Sequence, residues 1–106
     1  MSLVRATVTI DGGSVTLMPR RAPVGSSGPI RGRSLAIFAG QPPASLLARS
    51  PRPFRATIEP GTQPGFAIVD LDEHDAAALG QTLGLAEILF WDGRRARLVP
   101  CDAQIV

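Results

Sequence analysis

The chain of 106 residues has no lysine, asparagine or tyrosine, and only one cysteine and one histidine. A lone cysteine cannot close an internal disulfide, so a fold held by burial in a reducing, cytoplasmic setting is expected. A lone histidine excludes the paired histidines of zinc-hydrolase helices. No apolar run approaches the roughly 20 residues that span a bilayer. The opening MSLVRATVTIDGG has no long apolar segment or small-residue cleavage site, so neither a membrane partner nor export is expected. The length suits one domain, residues 1–106, which excludes separate cofactor and substrate lobes. Gly-x-Ser-x-Gly is missing. The segment GPIRGRS, residues 28–34, precedes an expected strand, whereas a phosphate loop follows one. No cofactor is implied.

All eleven basic side chains are arginine, a usage that a GC-rich bacterial genome explains without functional selection. Their distribution is uneven. Residues 1–58 carry eight arginines against Asp11 alone, a surplus of seven, while residues 59–106 carry three arginines against eight acids, a deficit of five. Arg20, Arg21, Arg31, Arg33, Arg52 and Arg55 fall mostly in expected loops and form a candidate anion or nucleic-acid surface. Aromatic platforms for bases are scarce, because Phe38, Phe66 and Phe90 lie in apolar runs that belong in a core.

Alternation marks residues 3–10 as a half-buried strand with Val4, Ala6, Val8 and Ile10 on one face. Asp11-Gly12-Gly13 turns it into a second strand over 14–18. Residues 19–32, rich in proline and glycine, read as an exposed loop. Strands follow over 33–40, 54–59 and 66–71, with a short helix near 44–50 stopped by Pro51 and Pro53. Asp72 caps an amphipathic helix over 72–83 that closes at Gly84, and Asp92-Gly93 joins strands 86–91 and 95–100. The expected fold is α+β. It is a mixed, largely antiparallel sheet of about six strands, with helix 72–83 packed on one face and strands 66–71 and 86–91 as parallel neighbours.

The stretch GFAIVDLDEHDAAALGQTLGLAEILFWDGRRARLVPC, residues 65–101, resembles the C-terminal pattern of an uncharacterised bacterial family of small α+β domains. That pattern is a strand ending in an acidic turn, a helix, a "GQNAIVW"-like strand and a closing hairpin. Residues 36–43, AIFAGQPP, resemble the family's strand leading into an Asn-Pro step, which is Gln41-Pro42 here. The family's GQNA corresponds to Gly84-Leu85-Ala86-Glu87. The resemblance implies a fold and carries no activity.

Asp70, Asp72, His74 and Asp75 form the densest polar cluster and are the candidate metal ligands, with Asp72 and Asp75 equally suited to capping the helix. Counted from Asp70, the sixth and twelfth positions are Asp75 and Gln81, where a calcium loop needs Gly and Glu. Cys101 reads as a half-buried structural thiol. Trp91 follows Phe90, so burial of one ring directs the other to the opposite face, where it would mark an interface. These readings favour a non-catalytic domain that self-associates or binds a protein partner through its sheet. The alternatives are an anion or nucleic-acid binder and, behind it, a metal-assisted hydrolase.

Overall fold

The computed structural model describes residues 4–10, 13–25, 32–48, 53–59 and 61–101. Eight strands form one sheet: β1 (Arg5–Ile10), β2 (Gly13–Leu17), β3 (Val24–Gly25), β4 (Leu35–Ala39), β5 (Phe54–Glu59), β6 (Gln63–Val69), β7 (Glu87–Trp91) and β8 (Ala96–Pro100). The helices are α1 (Ala44–Leu47) and α2 (Glu73–Thr82). The spatial order is β3-β2-β1-β5-β6-β4-β7-β8, and every named pair is antiparallel.

This corrects the expected six-stranded mixed sheet under one helix. The sheet has eight strands and curls into a half-barrel, so strand side chains fill its interior. Strands β6 and β7 are not parallel neighbours. Strand β4 lies between them, pairing Ala36 with Ile68 on one side and Phe90 on the other. The reason is in β4 itself: Leu35, Ala36, Ile37 and Phe38 are all buried, which demands a central position covered on both faces. The expected loop 19–32 is also partly sheet, since Val24 and Gly25 pair with β2.

Period-two alternation builds the main core. Ala6, Val8, Val15, Leu17, Leu35, Ile37, Ala67 and Leu89 are completely buried inside the curl, where Trp91 joins them. On the outer face, Thr7 stands in register with Thr16 of β2 and Thr57 of β5, and the Thr7 and Thr16 hydroxyls are 3.0 Å apart. A second core lies outside β4, β6, β7 and β8. There Phe38 and Phe66 stack with centroids 5.1 Å apart, in one cluster with Ile88, Phe90 and Val99 of the sheet, Ala76 of α2 and Leu46 of α1.

Two glycines permit these close approaches. A Cβ on Gly65 would stand 2.7 Å from the Phe38 carbonyl oxygen, and one on Gly80 would overlap the Cys101 sulfur. Closure of the curl is secured beyond β2: Pro19 forms a parallel bridge with Ala96, the first residue of β8. Edge strand β3 has only two residues, and this bridge covers one end of the other edge, β8. Both features limit edge-to-edge pairing.

Candidate binding surfaces

The acidic cluster resolves into separate tasks. Asp72 takes the N-cap position of α2, its carboxylate accepting the Asp75 backbone amide at 2.7 Å. Asp70, in the left-handed region at φ +65°, forms a two-bond ion pair with Arg33. That pairing holds the Asp70 carboxyl below its usual range, chiefly through the Arg33 hydrogen bond. His74 and Asp75 are exposed on the first turn of α2. Among the described residues, no group of three or more His, Cys, Asp or Glu side chains is placed to hold a metal ion.

Trp91 is 3% exposed and faces the interior of the curl, so its ring is not available as the surface contact expected from the sequence. The alternation with Phe90 is real, but both faces are covered there: Phe90 lies under α2, and Trp91 lies within the barrel core. Cys101 is buried too, with its thiol 3.8 Å from the Val99 carbonyl.

The candidate arginines divide. Arg31 and Arg52 lie outside the described residues. Arg55 projects from the outer face of β5, beside Phe66 of β6. Arg20, Arg21 and Arg33 are drawn instead to the β7–β8 turn. The Arg20 amide donates to the Ala96 carbonyl at 3.2 Å, and the Gly32 amide donates to the Gly93 carbonyl at 3.5 Å.

That turn adds Arg94 and Arg95, which the sequence reading placed in a hairpin without assigning them to a site. The Asp92 carboxylate accepts the Arg94 and Arg95 amides at 2.8 and 2.9 Å and fixes the turn. Those bonds, Arg95 first, hold the Asp92 carboxyl below its usual range. Arg97 Nη1 donates to the other Asp92 carboxylate oxygen at 3.3 Å, and Arg97 also pairs with Glu73 and lies over Phe90. An Arg-Arg step directly after Asp-Gly was the available signal, because a tight turn exposes the residues at its tip.

A second feature had no sequence signal. A groove of about 550 Å³ opens on the outer face between α1 and the β5–β6 pair. Pro42, Leu47, Phe54 and Phe66 give it apolar walls, and among the described residues Arg55 is the one charged lining residue. Leu46 turns inward to the second core, which leaves its neighbour Leu47 half exposed at the rim, at 49%.

No described helix is long and apolar enough to cross a membrane. Comparison with protein-family models, with curated proteins and with solved structures finds no match.

Proposed function

We propose that the chain is a non-catalytic, cytoplasmic interaction domain that docks an extended segment of a partner protein in the groove between α1 and β5–β6. The observation that carries this reading is the exposure of Leu47 above a cleft walled by Pro42, Phe54 and Phe66. Grooves of several hundred Å³ with apolar walls and a few polar groups are the usual form of a binding site. Arg55 decides the chemistry of the occupant. Among the described residues no acid lines the groove, and Arg55 forms no ion pair with any described acid. An apolar segment carrying an aspartate or glutamate therefore complements it in shape and charge. The blunted sheet edges favour a contact through this face over pairing along β3 or β8.

Selection from a displayed library of random dodecapeptides tests this directly. Enriched peptides should combine two apolar residues with an acid, shift the amide resonances of Leu47 and Arg55, and lose binding to Leu47→Asp and Arg55→Glu. Enrichment of basic peptides, or binding that survives both substitutions, contradicts the proposal. So does a wild-type dimer that Leu47→Asp converts to monomer, because a second copy would then fill the groove.

A further inference from the structure

We infer that the β7–β8 turn, with the segments packed on it, is a separate surface that binds the phosphate backbone of duplex nucleic acid without reading its sequence. Arg20 and Arg21 come from the turn after β2, Arg33 from the approach to β4, and Arg94 and Arg95 from the turn itself. The backbone places them together. Arg20 follows the Pro19–Ala96 bridge and its amide bonds the carbonyl of Ala96, the residue after Arg95, while the Gly32 amide bonds the carbonyl of Gly93, the residue before Arg94. Gly93 has φ +102°, a conformation that L side chains rarely adopt, so the turn favours glycine there.

Two described carboxylates lie among these arginines, and both are engaged, Asp70 by Arg33 and Asp92 by the turn amides and Arg97. Arg20, Arg21, Arg94 and Arg95 are all exposed, and none forms an ion pair with a described acid. Like charges held together without counterions attract a polyanion, and the guanidinium fork matches phosphate oxygens. The residues between the arginines favour phosphate over an acidic protein. Pro19, Gly32, Gly93 and the buried Ala96 supply no large apolar anchor of the kind protein interfaces use at their centres. Trp91 is buried below, so no described ring here can stack on bases. A surface of guanidinium groups alone reads charge and spacing.

The test is fluorescence anisotropy of a labelled 20-base-pair DNA duplex titrated with the full chain between 50 and 200 mM salt. Four phosphate contacts predict a log–log salt slope of about −3.6, an affinity loss on the order of 100-fold across that range. Arg20→Glu/Arg21→Glu and Arg94→Glu/Arg95→Glu should each remove at least half of that slope and weaken binding at least tenfold at 50 mM salt. Arg55→Glu, in the groove, should leave binding unchanged. Three results overturn the inference: no binding at 50 mM salt, binding indifferent to both double substitutions, or polyglutamate competing as well as unlabelled duplex.

Discussion

The backbone amide of Arg20 donates to the carbonyl of Ala96 across 3.2 Å, joining residues from opposite halves of the chain. This bond and the adjacent Pro19–Ala96 bridge bring the start of β8 back to the end of β2, and they require Arg20 to adopt φ +63°. Proline at this position would remove the donor and fix φ near about −65°. Arg20→Pro should therefore destabilise the chain by more than about 1 kcal/mol. Arg20→Gly, which keeps the donor and accepts positive φ, should leave the melting temperature close to that of wild type. Thermal denaturation of the two variants side by side distinguishes closure of the curl from a loose loop.

Steric tests of the two cores follow from the two buried glycines, Gly80 on the outer side and Gly65 beside Ile58 of the inner one. In Gly80→Ala the new methyl group meets the Cys101 sulfur and lies 3.0 Å from Ile88 Cγ2, which should cost about 1–3 kcal/mol. Removing the sulfur in the double variant Gly80→Ala/Cys101→Ala should recover part of the loss. Gly65→Ala meets the Phe38 carbonyl as well as Ile58, and a backbone atom has little room to move. Its cost should exceed that of Gly80→Ala and should not be relieved by Ile58→Val. Urea denaturation gives all of these differences.

The cap of α2 is a smaller, separate contribution. Asp72→Ala removes the acceptor for the Asp75 amide and should destabilise the protein by about 1 kcal/mol, while Asp72→Asn should recover most of it. Binding at the groove and at the arginine turn should be unchanged in both variants.

Burial of Trp91 gives an optical prediction. Its fluorescence should be blue-shifted and poorly quenched by acrylamide, and neither property should change with protein concentration. Trp91→Ala should cost roughly 3–5 kcal/mol by opening a cavity inside the curl. Red-shifted, freely quenched emission would place the ring at the surface.

Acid should weaken the fold through Asp70 and Asp92. Arg33 depresses the Asp70 pKa, and the Arg95 and Arg94 amides depress that of Asp92, so folding favours both ionised forms. Their stabilisation is complete above the unfolded carboxyl value near about 3.9, and it is lost as pH falls through the lower native values. Both groups are exposed, so the effect is small. Asp92→Ala should melt lower than wild type at pH 7, and the difference should narrow between about pH 4 and pH 2.

Local physics was legible along this chain, and long-range closure was not. Alternation of Ala6, Val8 and Ile10 announces a strand with one buried face, although Val4, expected on the same face, is exposed before β1 begins, and Asp92-Gly93 announces a hairpin. The burial of Leu35 through Phe38 was also readable, yet it does not name the partners of β4. Those partners, β6 and β7, enclose it through contacts that no local pattern encodes. Strand β3 is two residues long and gives no periodic signal. For Trp91, the parity against Phe90 was readable, whereas the covering of both faces depends on the curl of the sheet. The arginine turn was half legible for the same reason. Arg20, Arg21 and Arg33 stood out by charge, while Arg94 and Arg95 join them only through contacts with Ala96 and Gly93.

The measurement that tests the central claim most directly is a ¹H–¹⁵N spectrum of the full chain titrated with a 20-base-pair duplex at 50 mM salt. Closure of the curl into one cationic surface predicts that the amides of Arg20, Arg21, Gly32, Arg33, Gly93, Arg94 and Arg95 shift together along one binding curve, while Leu47 and Arg55 stay in place. Shifts confined to the groove, or to only one of the three segments, would contradict it.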